Sequence, residues 1–205
     1  MTNANVGNPG TRSIPETWRT RLLRWGFNLF PAYWGTGGRI TYIAPDWHEV
    51  RVRLPLSWRT RNYVGTIFGG SLYGAVDPIY MVMLIKLLGE GYVVWDKAAT
   101  IRFRRPGRTT LYARFEIAPE ELDAIRSELD GTGKIDRVFQ VDLTSADGTV
   151  HASVEKTLHI ARRGLELSGR PSPVVPNHRM QVTEGGLGGG MTRDRRAPAA
   201  PEPER

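Results

Sequence analysis

Cysteine is absent from the 205 residues of this chain. Disulfides, thiolate-ligated zinc, iron–sulfur clusters and thiol nucleophiles are thereby excluded, and a reducing compartment is permitted. Histidine is scarce as well: His48, His151, His159 and His178 are the four present, and no metal-ligand spacing connects them. Aromatic residues are missing from one end. All nineteen lie between Trp18 and Phe139, while Gly and Pro supply thirteen of the forty-four residues from Arg162 to Arg205. Such a stretch buries too little apolar area to offset its chain entropy, so 162–205 is expected to be a disordered tail. Residues 1–16 are expected to form a flexible N-terminus. They lack the basic start and apolar run of a secretory signal, which makes a cytoplasmic location the expectation.

The hydrophobic share is 40% and the charged share 24%, enough for one packed domain over 17–161. The net charge is +7. The tail holds eight Arg against five acidic residues, which leaves about +4 for the folded body. A basic balance suits nucleic acid, a membrane surface or a phosphate-bearing small molecule. An Arg-containing tail can touch nucleic acid, but the simpler expectation is a solvated terminus with no nucleic-acid partner.

Ser13 and Glu16 have capping-box spacing, and Pro15 suits a first helical turn. Trp18, Leu22, Trp25 and Leu29 then recur at helical spacing and predict an amphipathic helix to about Phe30. Its stripe can lie on a membrane or pack against a sheet edge, and the sheet edge is the expectation. Ile40, Tyr42 and Ala44 are expected to share one strand face, and Val50, Val52, Leu54 and Leu56 another, joined by a turn at Pro45–Trp47. Two further strands, Thr100–Arg104 and Leu111–Ile117, place Ile101 and Phe103, then Leu111, Ala113, Phe115 and Ile117, inward. Pro119 opens a short helix with Leu122, Ile125 and Leu129 on one face. Lys134–Thr144 and Val150–Ile160 form a hairpin across Asp147-Gly148.

Between these hairpins Gly69–Leu88 reads as one apolar helix. Its length permits a membrane span, but Asp77 near its midpoint and Pro78 beside it oppose insertion. A helix wrapped by a curved antiparallel sheet covers both its own surface and the apolar strand faces, so no membrane span is expected. Asp77 is costly there unless paired, hydrogen-bonded or open to a cleft, and Pro78 is expected to kink the helix. Two broken local rules at one place point to function. Alternatively, Asp77 caps a second half-helix starting at Pro78.

This order of elements resembles the hotdog fold, an α+β architecture with an antiparallel sheet around a central helix. Asn62-x-x-Gly65-x-x-Phe68-Gly69-Gly70, with Asp77 seven residues on, looks like the active-site segment of phenylacetyl-CoA-type hotdog thioesterases, where His precedes the two glycines. Gly69–Tyr73, Asp77-Pro78 and Trp95-Asp96-Lys97 also resemble an uncharacterised thioesterase-like branch. The resemblance spans about residues 17–160. It implies an acyl-CoA substrate, a homodimer or homotetramer, and catalysis by Asp77, with the Gly70 amide polarising the thioester carbonyl. Phe68 replaces the His, and a side-chain donor is lost with it.

Gly70 and Asp77 lie about 10 Å apart along a continuous helix, too far for one thioester, so the site is expected to combine two subunits. Asn62 and Thr66 either position the carboxylate and its water or merely structure their loop. Gly69 and Phe68 are candidate substrate contacts. Arg102, Arg104 and Arg105, with Arg108 nearby, suit the phosphates of coenzyme A or form a solvated face. Lys97 either pairs with Asp96 or meets the pantetheine arm or a dimer edge. Ser71 lacks the second Gly of a nucleophile elbow, and Gly131–Lys134 lacks the first Gly and final Ser or Thr of a phosphate loop. No cofactor or metal is expected. The second functional reading is a non-catalytic acyl-CoA- or lipid-binding hotdog protein.

Overall fold

The computed structural model describes residues 14–164. The expected flexible start through Ser13 and nearly all of the expected tail, with His178, lie outside them. The strands are β1 (Arg39–Ile43), β2 (Glu49–Leu54), β3 (Tyr92–Phe103), β4 (Leu111–Glu116), β5 (Lys134–Thr144) and β6 (Val150–Arg162). The helices are α1 (Trp18–Leu29), α2 (Pro31–Thr36), α3 (Gly69–Gly74), α4 (Ile79–Leu88) and α5 (Pro119–Thr132). One six-stranded antiparallel sheet runs in the order β1-β2-β4-β5-β6-β3, and α3 and α4 bury their apolar residues with its inner face. The fold is therefore the sheet-around-helix arrangement expected from the sequence.

Alternation sets the sheet faces. Val50, Val52 and Leu54 are buried, as are Leu111, Ala113 and Phe115 opposite them, while Arg51, Arg53 and Arg114 point outward. Each such Leu, Val or Phe contributes about 1.5–3 kcal/mol by leaving water. The β5–β6 hairpin turns at Gly148, whose φ of 83° suits a residue without Cβ. Asp147 fixes that turn by accepting from Ser145 Oγ at 2.6 Å and from Thr149 N–H at 3.0 Å. In α5, Pro119 occupies the first turn and Leu122, Ile125 and Leu129 are buried, as their spacing predicts.

Four local expectations need correction. The 69–88 segment is two helices, not one, because the chain turns at Ala75–Pro78, where Pro78 cannot donate a backbone hydrogen bond. In β1 the register slips between Ile40 and Tyr42, so Ile43 takes the inward place and Tyr42 turns out, its hydroxyl donating to Ile14 O at 2.7 Å. The strand predicted from Thr100 starts at Tyr92. A bulge between Asp96 and Ala98 breaks its alternation, and Phe103 at its end is exposed while Ile101 packs on the core.

The fourth correction concerns α1. Thr17 is its N-cap, accepting from Thr20 N–H at 3.2 Å. Glu16 is spent elsewhere, on Arg24 at 3.0 Å and on Ile43 N–H at 2.9 Å. Asn28 accepts from Ile40 N–H and donates to Ile40 O, both at 2.8 Å. These bonds fix a largely polar face of α1 on β1, with Thr20 buried and Phe27 partly so. The opposite face therefore points away from the sheet. Trp18, Leu22, Trp25 and Leu29 are 70%, 65%, 57% and 68% exposed, contrary to the expected packing on a sheet edge.

Candidate active site

The turn between α3 and α4 leaves carbonyl groups without helical partners, and side chains satisfy them. Buried Tyr33 donates to Ala75 O at 3.0 Å. Lys156 Nζ donates to Asp77 O at 2.7 Å and to Asp77 Oδ1 at 2.5 Å. The same ammonium is 2.9 Å from Asp96 Oδ2. Pro78 is the N-cap residue of α4 and no side chain caps it, so Asp77 does not serve as the N-cap. Its carboxylate is held by Lys156 instead.

Lys156 is 1% exposed, yet it lies on the apolar face of β6 with Val154 and Leu158. Burying an ammonium costs several kcal/mol unless partners surround it, and here two carboxylates and a carbonyl do so. Tyr73 completes the surroundings, its ring 5.6 Å from the Lys156 ammonium. Burial first, and the nearby Asp77 and Asp96 carboxylates after it, push the Tyr73 phenol well up, so it is a neutral hydroxyl beside the cluster. Burial, followed by the neighbouring Asp77 charge, raises the Asp96 carboxyl, although Lys156 pulls it down. Asp96 Oδ1 is buried and makes no hydrogen bond among the described residues.

With all three groups ionised the cluster carries one net negative charge. Asp77 retains 38% side-chain exposure, so the cluster is open at the acid while its counter-ion is sealed in. That arrangement fixes one oxygen of the Asp77 carboxylate and leaves the group accessible to water.

Sequence reasoning singled out Asp77 and missed Lys156. A signal existed: Ala152, Val154, Lys156, Leu158 and Ile160 occupy one strand register, and only one of them is charged. Asp96 was named only within Trp95-Asp96-Lys97 and as a neighbour of Lys97. The structure pairs Lys97 with Asp136 instead, and His159 also binds Asp136 at 2.6 Å while its ring stacks on Trp95.

The other candidates are placed as follows. Asn62 Nδ2 donates to Thr66 Oγ1 at 2.9 Å, and Asn62 Oδ1 accepts from Thr66 N–H at 2.9 Å and Val64 N–H at 3.1 Å. Both are thus engaged in structuring their own loop. Phe68 precedes α3 as an exposed ring lying over Gly70, where an added Cβ would come within 2.3 Å of it. A Cβ on Gly69 would lie 3.1 Å from Phe103. The first helical bond of α3 joins Leu72 N–H to Phe68 O at 3.1 Å, which leaves the Gly69 and Gly70 amides ahead of the hydrogen-bonded ladder. Arg102 and Arg104 are exposed, with Arg102 on the outer face of β3 beside Ser153. Arg105 and Arg108 line an open cleft of about 690 Å³ with Thr109, Tyr112 and His151. His151 and Lys156 have opposite registers on β6, so this cleft and Asp77 lie on opposite sides of the sheet.

An antiparallel sheet packed around a central helical segment is the hotdog fold. Solved structures share that fold. A Pseudomonas aeruginosa protein of unknown function, described as a probable thioesterase, matches with a TM-score of 0.63 at 21% identity, covering 74% of this chain and 98% of that one. A Chlorobaculum tepidum protein of unknown function matches with 0.57 at 17% identity, covering 71% and 95%. A Haemophilus influenzae thioesterase matches with 0.54 at 17% identity, covering 76% and 97%. At these identities the likeness is one of fold. The chain itself belongs to the family of the domain of unknown function DUF4442, whose profile matches residues 19–160. No curated protein is detectably similar.

Proposed function

We propose that this protein is a thioester hydrolase acting on a fatty or aromatic acyl-CoA, assembled as a homodimer or homotetramer. The observation that carries the reading is the water-accessible Asp77 carboxylate fixed by the buried Lys156 ammonium. In the proposed step Asp77 takes a proton from water as the water oxygen bonds to the thioester carbonyl carbon. The C–S bond then breaks, and the departing CoA thiolate takes a proton to leave a free acid and CoA. Lys156 fixes one oxygen of the Asp77 carboxylate, and the exposed remainder of the group receives the water. The Gly70 amide of a second subunit would meet the developing oxyanion. For Arg102, Arg104 and Arg105 to hold the phosphates, the pantetheine arm would pass round the end of β3 to the outer face of the sheet. Among the described residues the outer edge of β3 has no strand partner, which supports a paired assembly, because exposed strand edges are surfaces for further strand pairing.

A non-catalytic acyl-CoA-binding role is the second reading, favoured by Phe68 in the place of His and by the occupied Asp77 Oδ1. Purified protein incubated with medium-chain and aromatic acyl-CoAs separates the two. Hydrolysis is expected, with kcat falling at least about a hundredfold in Asp77→Asn and KM little changed. Wild-type protein that binds these thioesters but never releases CoA would establish the second reading. Turnover in H₂¹⁸O with label appearing in Asp77 after one cycle would replace the general-base role by direct attack.

A further inference from the structure

The exposed face of α1 is explained neither by folding nor by the proposed chemistry. Trp18, Leu22, Trp25 and Leu29 share one exposed helix face, and Ile14 ahead of α1 and Phe30 and Trp34 beyond it are exposed as well. Four of the six tryptophans are exposed, Trp18, Trp25, Trp34 and Trp58. Arg59 lies over the Trp34 ring at 4.1 Å, which brings the loop carrying Trp58 alongside α2. A globular domain gains nothing by pointing such groups into water.

The charges around the stripe are of one sign. From Thr17 to Pro45 the chain has no acidic residue but carries Arg19, Arg21, Arg24 and Arg39. Arg24 is neutralised by Glu16, whereas Arg19 and Arg21 are exposed on the two flanks of the stripe. A helix with tryptophan and leucine along one side, bordered by arginines, matches an anionic lipid surface. The rings enter the headgroup boundary and the guanidinium groups meet phosphates. A second copy of this chain would bring the same arginines against themselves.

We propose that α1, with Phe30 and Trp34, docks the protein in-plane on a membrane surface bearing anionic headgroups. Helix and sheet stay as they are, since the polar face of α1 remains bonded to β1 while the apolar face enters the lipid. This inference rests on α1 alone and is independent of the hydrolase reading.

Co-sedimentation of the full chain with vesicles tests it. The wild type is expected to pellet with phosphatidylcholine–phosphatidylglycerol vesicles, more weakly as salt rises, and to bind pure phosphatidylcholine less. A triple variant, Trp18→Ser, Leu22→Ser and Trp25→Ser, should bind at least about tenfold more weakly. Arg19→Gln with Arg21→Gln should lose about thirtyfold on the anionic vesicles and little on the neutral ones. All these positions are exposed, so circular dichroism and the thermal midpoint of the variants should match the wild type. No pelleting of the wild type at low salt would overturn the proposal, as would equal binding of the triple variant. A triple variant with a smaller mass in light scattering and unaltered vesicle binding would assign the stripe to a second copy and overturn it too.

Discussion

The two edges of the sheet are finished in opposite ways. On β1 the outer backbone groups are taken up by side chains: Asn28 bonds both the N–H and the C=O of Ile40, and Glu16 binds Ile43 N–H. On β3, twelve residues long, the described residues supply a partner on the β6 side only, and the small side chains of Ala98, Ala99 and Thr100 lie open. A strand can therefore be closed with two polar side chains, one from a passing helix and one from the segment leading into it, and the described residues do so at one edge and not at the other. The open edge is also the one that carries Asp96 beside Asp77 and Lys156. In the proposed function the association edge adjoins the acid cluster, while α1 lies along the opposite edge and α2 reaches the turn that carries Asp77.

Substitutions can break or sharpen that contrast. Lys156→Met beside the open edge should have the largest effect, lowering stability by about 3 kcal/mol in urea unfolding, because two carboxylates lose their buried counter-ion. Asn28→Ala at the closed edge removes both bonds to Ile40 and should cost about 2 kcal/mol. It should also produce concentration-dependent self-association in light scattering, since β1 then offers a free edge. Asp96→Asn should do less, in a pH-dependent manner. The raised Asp96 carboxyl means the fold favours its protonated form, so that contribution is complete below the ordinary carboxylate range and is lost as pH rises through the raised value. The variant should match the wild type in acid and be slightly more stable at neutral pH, as urea midpoints across that range would show. Thr100→Lys is expected to change monomer stability by no more than about 0.5 kcal/mol. It should nevertheless reduce the mass measured by light scattering to that of a monomer. An unchanged mass would remove β3 from the proposed assembly.

Legibility followed regular alternation. Val50–Leu54, Leu111–Ile117 and the β5–β6 hairpin were readable because period-two patterns and Asp147-Gly148 leave little choice. The outline of β3 was not, since the bulge at Lys97 makes even-numbered residues face the helix before it and odd-numbered ones after it. Tyr42 was misplaced for the same reason. The α1 stripe was read correctly as a helix face and wrongly as its buried one. Period alone cannot report that Asn28 and Glu16 would hold the other face to the sheet. At the site, Asp77 stood out as an acid in an apolar segment. Lys156 was hidden among the ordinary charges of a strand until its register was compared with those of Val154 and Leu158.

One ammonium holds three positions: the loose carbonyl where the helix breaks, the acid beside it and a second acid on the edge strand. In the proposed reaction Asp77 becomes neutral each time it takes a proton from water, and for that instant Lys156 leans on Asp96 and the carbonyl alone. The joint between α3 and α4 is then held less tightly than at rest. Each catalytic cycle would therefore flex the spine of the fold, and any mutation that stiffens that spine would be felt first in turnover.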